Sequence, residues 1–171
     1  MSPSEPCHGR ALFSRQIQNR LELLHRRLKS DAVITLQECD HIEDSLLQEI
    51  FEDTKLPYFR HLKTLNDHKD NICGCFMLNS KIVGIVFGRG VHLKCIWVDC
   101  FIRRQGIGSL LVLWYEDEIR RRSRDSIVSK FKSKVHVDTL QNNYYDSRKF
   151  WIQCGYLMAD DKSCSKDIES L

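Results

Sequence analysis

The sequence predicts a mixed α/β domain in which helices flank a β-sheet. Runs rich in β-branched and aromatic residues, such as 92–98, have the composition of strands. Runs with apolar residues at helical spacing, such as 41–54, lie between them along the chain. A loop containing Gly106 and Gly108 joins the run 92–98 to a helix-prone run at 109–122. Strands and helices that alternate in this way are typical of a sheet covered by helices.

Composition limits the class of protein. At 171 residues, with 42% hydrophobic and 29% charged residues, the chain suits one globular domain rather than a disordered segment. No apolar run approaches the ~20 residues of a membrane span, and no signal-peptide core is visible. The eight cysteines form no paired C-x-x-C sets, and Cys73, Cys75 and Cys95 lie in apolar runs. We therefore expect buried free thiols, no metal site and a cytoplasmic location.

The first 30 residues are predicted to form a tail and an amphipathic helix, ahead of a main domain at 31–171. From Arg10 to Lys29, apolar residues recur at helical spacing. They are Phe13, Ile17, Leu21, Leu24 and Leu28. This segment is either an extra helix packed on the domain or a helix for docking or dimerisation, and the sequence leaves both open.

The next segments are predicted in order as a strand, a helix and a hairpin. Residues 33–36 form the strand, and residues 41–54 form the helix, with Asp40 as its cap and Glu43 in the capping-box position. The strand-like runs 71–78 and 82–87 are joined by Asn79-Ser80-Lys81, which indicates a hairpin.

The closing segments follow the same alternation. Residues 134–139 alternate as a half-buried strand does, and residues 147–154 form a helix that ends at Gly155. A short strand at 156–160 can follow. Residues 161–171 show little alternation and few apolar side chains, so the last strand is expected to be weak or missing. A partner subunit would then complete the sheet.

The loop Arg103-Arg104-Gln105-Gly106-Ile107-Gly108 has the features of a diphosphate site. Two glycines remove Cβ atoms where phosphates approach the backbone, and the N–H groups and dipole of the following helix face that anion. The loop lacks the Gly-Lys-Ser/Thr ending of a P-loop and the G-x-G-x-x-G spacing of a dinucleotide site. Its pattern is R-x-x-G-x-G.

This pattern resembles the loop of the GNAT superfamily of N-acetyltransferases, whose members bind acetyl-coenzyme A (acetyl-CoA). The wider string 97–109 is similar to the family's fourth strand, loop and third helix. The strings VITLQECDHIEDSLLQEIF, SKIVGIVFG and NNYYDSRKFWIQCGY resemble its opening, third-strand and closing segments. The resemblance spans Val33 to Asp160. It implies a GNAT-like, mostly antiparallel twisted sheet with a splayed central parallel strand pair, flanking helices and, here, an extra N-terminal helix.

The resemblance implies which residues bind acetyl-CoA, the co-substrate. The fourth strand would hold pantetheine through its backbone, and N–H groups of the glycine loop would hold the pyrophosphate. Carried over, the set is Trp97, Val98, Cys100, Arg103, Arg104, Gln105, Gly106, Ile107, Gly108 and Ser109.

The reaction implied is direct acetyl transfer to a primary amine of a protein or small molecule. An amine near pKa ~10 is protonated at neutral pH, so a base is needed. The family's glutamate position falls on His92; Asp99 and His136 are further candidates. Alternation puts His92 and Val98 on one face of the strand unless a bulge intervenes, and the family's strand has one. The Val98 N–H is the candidate for oxyanion stabilisation.

The acid position is where the sequence departs from the family. The tyrosine often found in the fourth helix falls on Trp151, whose indole is not a useful proton donor. Tyr144 or Tyr145 can substitute, and we select Tyr145; Cys100 is an alternative only with a depressed pKa. A catalytically weak or inactive protein that binds CoA or a protein partner is therefore the alternative function.

The basic run 120–124 suggests a nucleic-acid site, but helical geometry offers a simpler explanation. Glu116–Arg120, Asp117–Arg121 and Glu118–Arg122 are spaced i,i+4, which stabilises a helix. With a net charge of only +3 and no interleaved aromatic residues, nucleic-acid binding is disfavoured.

Overall fold

The structure is a computed structural model that describes residues 14–28, 31–54, 69–124, 133–138, 144–159 and 163–168. Its helices are α1 (Arg15–Arg27), α2 (Asp44–Thr54), α3 (Ile107–Arg124) and α4 (Tyr144–Gln153). Its strands are β1 (Ile34–Glu38), β2 (Asn71–Leu78), β3 (Lys81–Arg89), β4 (His92–Val98), β5 (Ser133–Asp138), β6 (Leu157–Met158) and β7 (Ser163–Ile168). No helix in these ranges is long and apolar enough to cross a membrane.

The strands form one sheet in the order β1-β2-β3-β4-β5-β7-β6. Neighbouring strands are antiparallel except β4 and β5, which pair in parallel through His92↔His136 and Leu93↔Val137. The register between these two strands ends at Leu93, whereas β4 continues to Val98. Within the described residues, the carboxyl half of β4 therefore has no pairing with β5, which is described as far as Asp138.

A bulge at Lys94 changes which side chains of β4 face each side of the sheet. The register with β3 shifts by one residue there, because Leu93 pairs with Gly88 but Cys95 pairs with Phe87. Leu93 consequently lies in the core under α3, and Cys95 lies in the core on the other face. His92 and Val98 are therefore on opposite faces, as the expected bulge requires.

Two apolar cores lie on the two faces of the sheet. One includes α3 and α1, and the other includes α2. α3 lies close to the sheet because glycines face it: a Cβ at Gly88 would lie 2.1 Å from the Tyr115 hydroxyl oxygen. α1 packs on α3 and buries Ile17 and Leu24, which remain 0% and 3% exposed. This arrangement agrees with one of the two interpretations of the amino-terminal segment, an extra helix packed on the domain.

The predicted start of the second helix is wrong by three residues. The Cys39 N–H donates to the Cys73 carbonyl, 2.8 Å away, and the Cys39 thiol contacts the His41 carbonyl at 3.1 Å. These bonds keep the chain beside β2 after β1 ends. The first helical bond of α2 therefore runs from the Leu47 N–H to the Glu43 carbonyl, and Asp40 does not act as the cap.

The predicted hairpin forms, but its loop has two residues instead of three. Asn79 and Ser80 have φ values of +49° and +66°, and Lys81 already belongs to β3. Two successive positive φ values are those of the type I′ turn, whose twist matches that of the flanking strands.

The expectation of a weak or missing last strand is wrong. β7 pairs with all six residues of β5, so no partner subunit is needed to supply that strand. Cys164 and Ile168 are buried, and Lys166 lies between them on the same face. Lys166 is accommodated there because it pairs with the fully buried Glu116 of α3, with Nζ–Oε distances of 3.0 Å.

Candidate functional site

The loop between β4 and α3 has an open backbone cradle at Gly106. This glycine has a φ of +95°, which L side chains rarely adopt, and apart from its two chain neighbours no atom of the described residues lies within 4 Å of where its Cβ would be. α3 begins at the next residue, and its first backbone bond runs from the Leu110 N–H to the Gly106 carbonyl, 3.1 Å away. The N–H groups of the first helical turn have no intrahelical acceptors. With the positive end of the helix dipole, they make this cradle suited to an anion.

Gly108, the second glycine, lies under an aromatic ring. A Cβ there would be 3.2 Å from the nearest ring carbon of Phe150 and 3.9 Å from a methyl of Val98. Phe150 of α4 thus covers the first turn of α3 beside the end of β4. The sequence singled out neighbouring Trp151 and missed Phe150, because both are aromatic and only the register of α4 decides between them.

A carboxylate of α2 holds the loop against the sheet. Asp53 accepts a hydrogen bond from the indole Nε1 of Trp97, 2.8 Å away, and forms an ion pair with the Arg103 guanidinium. Arg103 Nε also donates to the Val98 carbonyl at 2.8 Å. The guanidinium therefore ties the loop to β4 and α2. Sequence reasoning missed Asp53, because nothing local distinguishes it from the other acidic residues of α2.

The remaining predicted cofactor residues lie between the end of β4 and the first turn of α3, and Ile107 among them is buried in the core. Cys100 and Arg104 are exposed, and Arg104 has a φ of +66°. The Gln105 carbonyl accepts a bond from Arg27 of α1. Ser109 lies in the first turn of α3, where its hydroxyl is 3.9 Å from the Cys154 sulfur.

His92 lies at the amino end of β4, where the parallel pairing with β5 begins. Its side chain is exposed and lines a cavity of about 500 Å³, together with Asp70, Arg89 and Lys94. Strand alternation puts it on the face opposite Leu93, which is the face that α2 covers. His92 is thus accessible from outside at the point where β4 and β5 come together.

Asp99 lies at the other end of β4, about 20 Å from His92 at the usual rise per strand residue. It is only 6% exposed, and its carboxylate accepts from the Phe101 N–H at 3.0 Å, which caps the 3₁₀ turn Cys100–Ile102. Lys81 Nζ is 3.6 Å from the same carboxylate. His92 and Asp99 therefore cannot act on the same atom.

The candidate acids lie in and beside α4. Tyr144 and Tyr145 are its first two residues, but their side chains are outside the described part of the chain, as is that of His136 in β5. Trp151 is buried in the core and makes an edge-to-face contact with Tyr156, with 5.1 Å between ring centroids. This burial places the indole within the core.

The described cysteines are free thiols, and several of them are buried. The seven cysteines in the described ranges are free, and Cys73, Cys75 and Cys95 are buried, as predicted. Burial raises the pKa of the Cys95 thiol far above its usual value. No group of three or more His, Cys, Asp or Glu side chains within the described ranges is arranged to hold a metal ion.

The basic end of α3 is engaged within the domain. Glu118 lies 2.8 Å from Arg122 and also pairs with Arg121, and Arg120 lies 2.6 Å from Asp117. Arg122 further bonds the Glu38 carboxylate at 2.9 Å and the Asn71 carbonyl at 3.1 Å. These contacts explain the charge run as helix pairing and as an attachment of α3 to β1 and β2.

Residues 25–156 match the family model described as the acetyltransferase (GNAT) family. Comparison with curated protein sequences gave no match.

Several solved structures share the fold. The ribosomal-protein-S18-alanine N-acetyltransferase from Escherichia coli has a TM-score of 0.60 and 14% identity, over 80% of this chain and 95% of that one. An aminoglycoside 6′-N-acetyltransferase complexed with coenzyme A has a TM-score of 0.56 and 16% identity, over 79% and 97%. AtaTR bound with acetyl-CoA has a TM-score of 0.54 and 15% identity, over 80% and 94%.

Proposed function

Because the chain belongs to the GNAT family of acetyltransferases, we propose that it transfers the acetyl group of acetyl-CoA directly to a primary amine. One observation carries the proposal. The loop at the end of β4 opens an unobstructed backbone cradle at Gly106, directly at the amino end of an 18-residue helix. That cradle lies beside the carboxyl half of β4, which has no pairing with β5 within the described residues.

The residues present fit acetyl-CoA. A Cβ at Gly106 would project into open space beside the loop, where a diphosphate would lie, and the N–H groups of the first turn of α3 lack intrahelical acceptors and can serve as its donors. The carboxyl half of β4, ending at Trp97 and Val98, would offer backbone groups for the amides of pantetheine, because it has no described pairing with β5. Phe150 beside Gly108 supplies an apolar wall. Acetyl-CoA supplies the thioester whose acetyl group is transferred.

His92 is our candidate for the base that accepts the proton of the amine. It is exposed on a cavity, and the amine can approach it from the α2 face of the sheet. Asp99 is the second candidate, although it is buried and caps a turn. In this proposal the Val98 N–H stabilises the developing oxyanion, and Tyr145 protonates the leaving thiolate. Asp99 is adjacent to Val98, whereas His92 lies about 20 Å away along β4 and can accept the proton only through a chain of water molecules.

The alternative is a weak or inactive family member that binds CoA or a protein partner. The burial of Trp151 favours this alternative, because the position where the family often has its acidic tyrosine contributes to the core instead. The seven described cysteines are free thiols, which suits the cytoplasmic location that we propose for either activity.

Two measurements on the purified protein test the proposal. Titration calorimetry should show saturable binding of acetyl-CoA, weakened at least about tenfold in Gly106→Ala, since a side chain disfavours this φ and enters the cradle. Acetyl-CoA consumption should then depend on an added primary amine from a panel of protein amino termini, lysine peptides and polyamines.

The outcomes separate the alternatives. His92→Ala should lower kcat and leave the KM for acetyl-CoA unchanged if His92 is the base, whereas the same result with Asp99→Asn would support Asp99. Binding without turnover over the whole panel would favour the inactive alternative. No binding at all would overturn both.

A further inference from the structure

A second cavity lies between α1 and the glycine loop and has a volume of about 230 Å³. It combines two guanidinium groups, two leucine side chains and the backbone of the loop. Its lining residues are Arg20, Leu23, Leu24, Arg27, Gln105 and Gly106. A cation pair beside an apolar wall suits a ligand that carries both a phosphate group and an aromatic ring.

α1 is fixed in a position that directs both arginines to this cavity. Arg20 and Arg27 are seven residues apart, which is two helical turns, so they lie on one side of α1. Ile17 and Leu24 anchor the helix in the core. Arg27 Nη1 donates to the Gln105 carbonyl at 3.3 Å, so that α1 is joined directly to the glycine loop.

Arg20 is also close enough to Cys154, which follows α4, for its charge to act on that thiol. Burial raises the pKa of Cys154, and the positive charge of Arg20 is among the influences that oppose this rise. The Cys154 sulfur lies 3.9 Å from the hydroxyl of Ser109, in the first turn of α3. The charge of Arg20 is therefore felt beside the proposed pyrophosphate cradle.

We propose that Arg20 and Arg27 bind the 3′-phosphate of the adenosine end of CoA, so that α1 completes the cofactor site. This inference rests on the proposed function, which assigns the diphosphate of CoA to the loop that forms one wall of the cavity. The phosphorylated adenosine is attached to that diphosphate and therefore has to lie next to the loop. Arg20 precedes the residues that match the family model, so this contribution belongs to the chain's own amino-terminal helix.

The test compares CoA with dephospho-CoA, which lacks only the 3′-phosphate, by titration calorimetry on the full chain. Arg20→Ala is the main variant, because Arg27→Ala would also remove a bond to the loop. Arg26→Ala is the matched control, since it removes an exposed arginine of the same helix that does not line the cavity. Circular dichroism and thermal unfolding establish that each variant retains its fold.

We expect Arg20→Ala to weaken CoA binding about tenfold, the effect of one charge-assisted contact, and to change dephospho-CoA binding less than about twofold. Arg26→Ala should bind both ligands as the wild type does. Equal weakening of both ligands in Arg20→Ala would overturn the inference, because the charge would then act on the diphosphate.

Two further results also decide against the inference. If Arg20→Ala and Arg26→Ala lost the same affinity for CoA, the loss would come from the general positive charge of α1 and not from a contact in the cavity. A wild-type protein that binds CoA and dephospho-CoA equally would refute the 3′-phosphate contact and leave the proposed function standing. A wild-type protein that binds neither would refute the proposed function itself.

Discussion

Asp53 connects three segments through one carboxylate. It accepts from the Trp97 indole at 2.8 Å and pairs with Arg103, whose Nε bonds the Val98 carbonyl. The end of α2, the end of β4 and the start of the glycine loop thus share one polar junction. Because a buried indole N–H and a guanidinium both depend on it, the shape of the cradle depends on a residue outside the loop.

Replacing Asp53 should therefore affect both stability and binding. Asp53→Ala leaves the Trp97 N–H without its acceptor and releases Arg103, so we expect a loss of about 1–2 kcal/mol in the free energy of unfolding. We also expect weaker binding of acetyl-CoA, because the loop loses its attachment to α2. Urea unfolding and titration calorimetry measure the two effects.

Glu52→Ala is the matched control for that substitution. Glu52 is the preceding residue of α2 and accepts a bond from Gln48 on the same helix at 2.9 Å, away from the loop. Its removal should change the free energy of unfolding by less than about 0.5 kcal/mol and leave binding unchanged. A loss of binding of similar size in both variants would contradict the role given to Asp53.

Within α3, two of the three predicted i,i+4 ion pairs form, and the third arginine pairs at i,i+3. The pairs Glu116–Arg120 and Glu118–Arg122 form at i,i+4, with distances of 3.8 and 2.8 Å. Arg121 instead pairs with Glu118, at i,i+3. Helical periodicity predicts that these side chains lie close together. It does not predict which of them pair, because that also depends on Arg122, whose guanidinium bonds residues of β1 and β2.

Glu118 should make the stability of α3 depend on pH. Burial tends to raise the pKa of its carboxyl, but hydrogen bonds from Arg121 and Arg122 outweigh burial and lower the pKa below its ordinary value of 4.5. The carboxylate therefore stabilises the fold near neutral pH. That contribution is lost as the pH falls from about 4.5 through the lower pKa of the folded state.

Unfolding in urea at several pH values measures this effect. At neutral pH the wild type should exceed Glu118→Gln by about 1 kcal/mol in the free energy of unfolding. Below about pH 4 the gap should narrow, because the carboxyl of the unfolded state takes up a proton first and that of the folded state follows at its lower pKa. Glu49→Gln, which removes an exposed carboxylate of α2, is the control. A gap that stays constant from pH 7 to pH 3 would refute the contribution of Glu118.

Across the whole molecule, local patterns predict most elements, and contacts between distant residues decide the rest. Nearly continuous apolar runs joined by a turn identify β2 and β3, and the glycine loop indicates both the β4–α3 junction and the family, which the family match confirms. Asp53 could not be identified, because its partners lie 44 and 50 positions away. The last strand was missed for the same reason: Lys166 appears exposed in the sequence, whereas its partner is 50 positions away in α3.

The buried pair Glu116–Lys166 therefore gives a test of how the last strand is held. Lys166 Nζ bonds both carboxylate oxygens at 3.0 Å and the Cys154 carbonyl at 2.9 Å, so one ammonium joins β7, α3 and the end of α4. Among the described residues, Lys166→Met would leave Arg120, 3.8 Å away, as the positive charge paired with the fully buried Glu116 carboxylate. We expect this variant to lose about 3–5 kcal/mol in the free energy of unfolding, because the remaining charge is poorly compensated.

A double-mutant cycle separates the interaction from the cost of the unpaired charge. Adding Glu116→Gln to Lys166→Met removes the stranded carboxylate, so the double variant should be more stable than Lys166→Met alone, by at least about 1 kcal/mol. Asp167→Asn, an exposed neighbour on the same strand, should change stability by less than about 0.5 kcal/mol. If the two single losses simply add in the double variant, the pair does not hold β7, and the strand must be stabilised by Cys164, Ile168 and the β5 register alone.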